Sequence, residues 1–239
     1  QVYYMINKPK GVVCTHRDPA GRIRIVDLVP DETARMFSVG RLDRESEGLI
    51  LLTNDGGLAQ ELAHPRYGVE KTYHVQVAGL PGRTVLQRLR DGVQLAEGKV
   101  AVAGVRTKRA HKQSTVLEII LREGKNREIR RMLASLGHKV QQLKRIAVGD
   151  LTLGNLLPGQ WRKLTWEEVE RLRKSATVAV GNIRTRAPRT NAPKRTYGGR
   201  PRTHRDSSNG ESGRRSNEQS GKRRPKRPGK ASSWRKRTR

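Results

Sequence analysis

Large apolar side chains recur with strand and helix spacing up to about residue 175 and then almost vanish. Residues 176–239 consist mainly of Arg, Lys, Gly, Ser, Pro and Asn. Ordering such a segment would cost about 1 to 2 kcal/mol per residue, with little apolar burial to offset that cost. The sequence therefore predicts one folded domain over residues 1–175 and a disordered basic tail over residues 176–239.

Positive charge is high in both parts of the chain. The 239 residues carry a formal net charge of +29, and residues 181–239 alone contain 20 Lys/Arg against 3 Asp/Glu. The remaining 180 residues contain 31 Lys/Arg against 19 Asp/Glu. Cationic side chains that neutralise phosphates release condensed counterions, which favours binding. Nucleic acid is therefore the expected partner.

Several other classes of protein are disfavoured by the composition. No apolar run approaches the roughly 18 to 20 residues that a membrane-spanning helix needs, and the first residues do not resemble a secretory signal. The single cysteine, Cys14, excludes an intramolecular disulfide and fits a reducing cytoplasm. The six histidines lack metal-ligand spacing, so we expect no metal site.

Strand and helix patterns alternate irregularly, with neighbouring strands spaced as in hairpins, which predicts an α+β fold. Strands are predicted at residues 2–7, 12–13, 35–39, 48–53, 71–78, 100–107, 114–121 and 140–148. A first helix is predicted with Asp55 as N-cap, running through Leu58, Leu62 and Ala63 and ending before Pro65. Further helices are predicted at 81–91 and 126–136, and from Thr165 onward.

Two segments could carry chemistry on a loop and a strand. Asp43 precedes a buried strand and is flanked by Arg41 and Arg44, a position in which a carboxylate could react. The alternative is a surface ion pair. Tyr73, on the alternating strand that starts at Lys71, offers an aromatic face and a hydroxyl, and the alternative is a core tyrosine.

A third segment, residues 121–133, is strongly basic. Lys125 is placed at a strand-to-helix junction. Arg127, Arg130 and Arg131 follow at i, i+3 and i+4 of the predicted helix and would share one face. The alternative is a solvated basic face, but in a chain this basic the pattern favours contacts to phosphates.

Five segments, in this order and spacing, resemble the RsuA/RluB family of ribosomal RNA pseudouridine synthases. They are MINKPKGVVCT, GRLDRESEGLILLTNDG, EKTYHV, DGVQL and EGKNREIRRM. The resemblance covers nearly all of residues 2–170, and DGVQL is most similar to the RluB type. It implies the pseudouridine synthase catalytic fold, a mixed and mainly antiparallel sheet flanked by helices.

The resemblance also implies roles for individual residues. Asp43 matches the catalytic aspartate, Tyr73 the tyrosine that packs against the target base, and Lys125 the basic residue that pairs with the aspartate. Ile129 matches an apolar side chain that lines the pocket, and Arg41 a supporting neighbour.

The expected function is isomerisation of a specific uridine to pseudouridine in large-subunit (23S) ribosomal RNA, with a flipped-out base, in the cytoplasm, by a monomer without cofactor or metal. The main alternative is a non-catalytic RNA-binding or ribosome-assembly protein. A nuclease or glycosidase is disfavoured, because no second carboxylate or metal cluster accompanies Asp43. Family members usually carry an S4-type RNA-binding domain before the catalytic domain, and we expect this chain to lack it, since it begins at the first catalytic strand.

Overall fold

A mixed β-sheet forms the centre of the protein. The computed structural model describes residues 1–30 and 35–185, with side chains up to residue 177. Within these residues the strands are β1 (Tyr3–Lys8), β2 (Phe37–Ser38), β3 (Glu47–Thr53), β4 (Lys71–Ala78), β5 (Val93–Leu95), β6 (Gly98–Val100), β7 (Gly104–Ala110), β8 (Ser114–Leu121), β9 (Val140–Val148), β10 (Leu151–Thr152) and β11 (Trp161–Lys163). The α-helices are α1 (Gly56–Ala63), α2 (Arg83–Asp91), α3 (Glu128–Ser135) and α4 (Trp166–Thr185).

The strands form two antiparallel groups that meet in one sheet. The main path runs β11-β1-β3-β9-β4-β8-β7, with β2 added to β3 and β10 added to β9. Among the described strands, β3 and β9 alone pair in parallel. Strands β5 and β6 form a separate hairpin. The predicted α+β fold with a mainly antiparallel sheet is confirmed.

Each face of the sheet carries its own apolar core. On one face, α2, α3 and the segment between β1 and β3 pack over Tyr4, Val75 and Leu117. On the other face, α1 and α4 pack over Leu49 and Leu51. Strand β4 alternates buried and half-buried residues, as the period of two predicts.

Three predicted elements differ from the structure. Residues 12–13 form no strand and make only an isolated bridge from Val13 to Arg24. The strand predicted at 100–107 is divided, because Val100 ends the β5–β6 hairpin and β7 begins only at Gly104. Helix α3 begins at Glu128 rather than at residue 126, since Arg127 has a left-handed backbone that cannot continue the helix.

The predicted boundary between domain and tail falls inside a helix. Helix α4 runs through residue 175 to Thr185. Val169, Leu172 and Ala176 follow each other at helical spacing and are all buried, so the apolar periodicity continues into the segment assigned to the tail. The prediction of a disordered tail over the remaining residues lies outside the described part of the chain from residue 186 onward.

The parallel contact between β3 and β9 is short and unusually close. It consists of the register pairs Glu47 with Lys144 and Gly48 with Arg145. A Cβ atom on Gly48 would collide with the backbone carbonyl of Arg145, and Gly48 has φ of +104°. Beyond this pair, Arg145 donates from Nε to the carbonyl oxygen of Leu49 at 2.7 Å. The guanidinium of Arg145 therefore links β9 to β3 beyond the last backbone pair.

Next to this contact the sheet buries a second cation. Lys71 is 8 % exposed and donates from Nζ to the carbonyl oxygen of Val69 at 3.0 Å. Burial, and then the charge of Arg145, lower the pKa of Lys71 to about 8. Arg145 itself is 3 % exposed. Two buried positive charges thus lie near each other in the sheet.

Replacing Gly48 with alanine should destabilise the protein by at least about 2 kcal/mol, because the methyl group meets backbone and the positive φ becomes strained. Urea unfolding followed by circular dichroism measures the change. Gly124→Ala is the control, since no atom lies within 4 Å of a Cβ there. Equal stability of the two variants would contradict the close approach.

Lys71→Met should stabilise the protein relative to the wild type at neutral pH, and this gain should disappear at high pH. The folded-state pKa lies below the unfolded value, so the charged lysine costs stability at all pH values below about 8. Between pH 8 and about 10.5 the folded state loses its proton first and the cost is relieved, by about 3 kcal/mol in total.

Urea unfolding of both proteins at several pH values tests this expectation. Lys139→Met, which removes an exposed ammonium, is the control, and its stability difference from the wild type should stay flat. A flat difference for Lys71→Met as well would show that Lys71 is better solvated than its burial indicates.

Candidate active site

Asp43 lies on a turn that a buried lysine holds in place. The N–H of Ser46 donates to the carbonyl oxygen of Asp43 at 3.0 Å, which closes the turn before β3. Lys8, fully buried at the end of β1, donates from Nζ to the carbonyl oxygens of Pro9 at 3.0 Å, Arg44 at 3.3 Å and Ser46 at 2.8 Å. The backbone that carries Asp43 is therefore anchored from below.

Lys8 also contributes positive charge to this region. Burial lowers its pKa, and nearby negative groups that include Asp43 oppose this effect. Lys8 is not among the site residues predicted from the sequence, although it lies within the MINKPKG segment. A charged residue at the end of an otherwise apolar strand was the available signal.

Arg127 is the cation that meets Asp43. Its Nη1 lies 3.5 Å from Oδ2 of Asp43, and the two side chains are 48 % and 28 % exposed. Among the described non-glycine residues, Arg127 alone has a positive φ, at 48°. A left-handed backbone at a non-glycine residue is strained, and such residues occur preferentially at functional sites.

Lys125 does not pair with Asp43 in this structure, contrary to the expectation. Its Nζ lies 3.0 Å from Glu123, and this partner raises the pKa of Lys125. The backbone N–H of Lys125 donates to Glu128 at 2.9 Å, so the carboxylate of Glu128 closes the turn before α3. This turn reverses the chain between Lys125 and Arg127 and brings the later residue to Asp43.

The predicted basic face of α3 is divided. Arg130 is half-buried beneath the Asp43 turn and donates from Nη2 to the carbonyl oxygen of Glu45 at 3.3 Å. Burial and the charge of Arg127 lower the pKa of Arg130, and the charge of Asp43 opposes this. Arg131 instead forms an ion pair with Glu97 on the β5–β6 hairpin. The three arginines therefore do not act as one surface.

The strand register places Tyr73 beside the Asp43 turn. Gly48, at the start of β3, pairs with Arg145, and Arg145 pairs with Tyr73 on β4. Gly48 and Tyr73 are thus two strands apart, which corresponds to about 10 Å. The β4–β9 register shifts between Thr72 and Tyr73, and such bulges often occur next to active sites.

The apolar side chains of this region belong to one core. Leu42, which precedes Asp43, belongs to the same buried cluster as Tyr73 and Ile129. Tyr73 is 7 % exposed. Arg41 is exposed at the start of the loop. The structure therefore brings Arg127 and Arg130 to the Asp43 turn, with Tyr73 two strands away and Ile129 in the same apolar core. Lys125 and Arg131 have partners elsewhere.

Arg145 was also missed by the sequence analysis. It occupies the inward period-two positions of β9 together with Leu143. A charge among inward-facing apolar residues of a strand would have been the signal.

Other chemistry has little support in the described residues. In that part of the chain, no group of three or more His, Cys, Asp or Glu side chains is arranged to hold a metal ion. None of the helices described is long and apolar enough to cross a membrane.

Comparison with known proteins agrees with this arrangement. The profile of the RNA pseudouridylate synthase family matches residues 2–135. The chain is 40% identical over 177 residues to the ribosomal large subunit pseudouridine synthase B of Bacillus subtilis, covering 73% of this chain and 72% of that protein. It is 40% identical over 174 residues to the ribosomal large subunit pseudouridine synthase E of Vibrio parahaemolyticus, covering 67% of this chain and 72% of that protein.

A solved structure shows the same fold. A crystal structure of a pseudouridylate synthase superposes with a TM-score of 0.63 at 33% identity, over 72% of this chain and 73% of that one. The sequence matches include the Asp43 loop, the Tyr73 strand and the start of α3, which the fold brings together. The chain belongs to the RNA pseudouridylate synthase family.

Proposed function

We propose that this protein isomerises a uridine to pseudouridine in large-subunit ribosomal RNA, with Asp43 as the catalytic carboxylate. The relatives from Bacillus and Vibrio are named for that substrate, and the match to each covers about 70% of its length. The observation that carries the proposal is the position of Asp43. It lies on a turn anchored by Lys8, beside a strained Arg127, in a strongly basic domain.

The reaction needs no electron donor or energy source. The bond from N1 of uracil to C1′ of ribose breaks, and a bond from C5 to C1′ forms. C5 loses a proton and N1 gains one, so the reaction is a balanced isomerisation. A carboxylate can promote it by attack at C1′, by stabilising positive charge there, or by removing a proton from the ribose.

Three cations lie close to the Asp43 turn. Arg127 contacts Oδ2 at 3.5 Å, longer than the about 2.7 to 2.9 Å typical of a charge-assisted hydrogen bond, so the carboxylate is oriented without a tight bond. Arg130 and Lys8 add positive charge beneath the turn.

The target uridine must leave its stack to present the glycosidic bond. Tyr73 is the proposed stacking partner, and an aromatic contact of this kind contributes roughly 1 to 3 kcal/mol per base. Because the ring is 7 % exposed, the base would meet its exposed edge, with Ile129 and Leu42 behind it.

Other expectations from the sequence remain proposals. The protein would act as a monomer in the cytoplasm, without metal or cofactor. Arg41 and Arg127 would contact RNA phosphates, and Lys125 and Arg131 would do so once released from Glu123 and Glu97. Residues 186–239, with 19 Lys/Arg against 3 Asp/Glu, would add non-specific attraction for RNA.

Asp43→Asn should fold and bind RNA but lose turnover roughly a thousandfold or more. Tritium release from ribosomal RNA labelled at C5 of uridine measures turnover, and mapping of pseudouridine identifies the position. Glu45→Gln, which removes a carboxylate two residues away on the same turn, should keep turnover within about threefold. Normal turnover by Asp43→Asn would remove Asp43 from the mechanism. If the wild-type protein binds RNA but forms no pseudouridine, a non-catalytic RNA-binding protein is favoured instead.

Arg130→Met should lower kcat about 10- to 100-fold, whereas Lys125→Met should mainly raise KM. Each variant removes one positive charge from the same segment, so both should lose the same amount of long-range attraction for RNA. Only Arg130 lies beneath the Asp43 turn. Single-turnover kinetics separates the two effects, and urea unfolding shows whether each variant is folded. A larger loss of kcat in Lys125→Met would restore Lys125 as the partner of Asp43.

A further inference from the structure

A recess lies near the Asp43 turn, in the segment between β1 and β3. It has a volume of about 220 Å³. It is lined by the apolar residues Cys14, Ile25 and Val26 and by the polar residues Thr15, Ser38 and Arg41. The roles assigned to Asp43 and Tyr73 make no use of this recess.

The walls of the recess are held by hydrogen bonds. Arg24 donates from Nη1 to the carbonyl oxygen of His16 at 2.5 Å and pairs with Asp27. The N–H of Val13 donates to the carbonyl oxygen of Ile23 at 3.0 Å, and this bond holds the two ends of the intervening loop together. A recess with such supports is pre-formed, as small-molecule sites usually are.

The recess is close to the reacting carboxylate along the chain. Gly40 and Arg41 line it, and Asp43 follows two residues after Arg41. Two residues span at most about 7 Å. A nucleotide next to a target uridine at Asp43 would therefore be within reach of the recess.

The chemistry of the lining fits a nucleobase. Unstacked bases are recognised in RNA by an aromatic or apolar surface for the ring and by polar groups for its edge. Ile25 and Val26 supply the apolar surface, and Ser38 and Arg41 are the polar residues available for the edge, since the Thr15 hydroxyl already donates to the carbonyl oxygen of Arg17. The volume lies below the roughly 300 to 1,000 Å³ of drug-sized sites, which fits a single base rather than a larger ligand.

We propose that this recess binds the base of a nucleotide adjacent to the target uridine, extruded from the RNA together with it. The inference rests on the proposed pseudouridine synthase activity and extends it to substrate selection. Two extruded bases held at a set spacing would let the protein reject uridines whose neighbour cannot leave its stack. Arg41, at the mouth, would contact the phosphate between the two bases.

The single cysteine of the chain makes the proposal testable in the wild-type protein. Cys14 lines the recess, and no other thiol competes for an alkylating reagent. Alkylation by iodoacetamide is followed by mass spectrometry, with and without saturating RNA that carries the mapped uridine. Intact RNA should slow alkylation at least tenfold.

A set of RNAs, each with one abasic nucleotide within three positions of the target, identifies the bound base. At a single position, loss of the base should return the alkylation rate to within about twofold of that without RNA. The same RNA should raise KM for pseudouridine formation at least tenfold. The other abasic RNAs should protect Cys14 like the intact RNA.

The control protein carries Cys14→Ser and Thr152→Cys. Thr152 is exposed on β10, which pairs with the C-terminal end of β9, and it does not line the recess, so its alkylation should not respond to the same RNAs. Unchanged Cys14 alkylation with an RNA that is converted to pseudouridine would overturn the proposal, as would protection that survives every abasic substitution. Absence of pseudouridine in the intact RNA would instead remove the proposed function, and this inference with it.

Discussion

The contact of Gly48 with Arg145 joins two groups of strands that are otherwise antiparallel within themselves. One group contains β1, β2, β3 and β11, and the other contains β4 and its neighbours. Between them lies a parallel pairing of only two residues on each strand. Glycine allows the backbones to approach, and the guanidinium of Arg145 extends the connection by its bond to Leu49. The candidate active site lies at this junction, because Asp43 precedes β3 and Tyr73 lies across β9 from it.

Positive charge around this junction is buried more deeply than is usual for lysine and arginine. Lys8 and Lys71 donate to backbone carbonyls, as does Arg145. Carbonyl oxygens satisfy the donors but do not neutralise the charge, so an unfavourable electrostatic energy remains. An anionic ligand such as RNA would relieve part of it. One of these cations, Lys8, also anchors the turn that carries Asp43, so a cost to folding supports the candidate active site there.

The central strands were well predicted. The observed bounds of β4, β8 and β9 equal the predicted ones, because alternation of apolar and polar residues reports directly which face is buried. The helix cap at Asp55 is confirmed, with its carboxylate accepting from Leu58. The errors fall where local pattern and tertiary contact disagree. Val12 and Val13 look like a strand, yet Val12 packs into the core from an irregular segment. Helix α4 extends past the predicted start of the tail at residue 176, and Ala176, although small, is buried.

The candidate active site was likewise predicted only in part from the sequence. From the sequence alone came the element types, the basic character of the chain, and the segments that carry Asp43, Tyr73 and the arginines. Only the tertiary structure decided which cation meets Asp43. That choice depends on the left-handed backbone of Arg127 and on the turn closed by Glu128, and neither follows from residue spacing along an ideal helix. Spacing determines which residues share an element, whereas an ion pair depends on how separate elements are oriented in the folded chain.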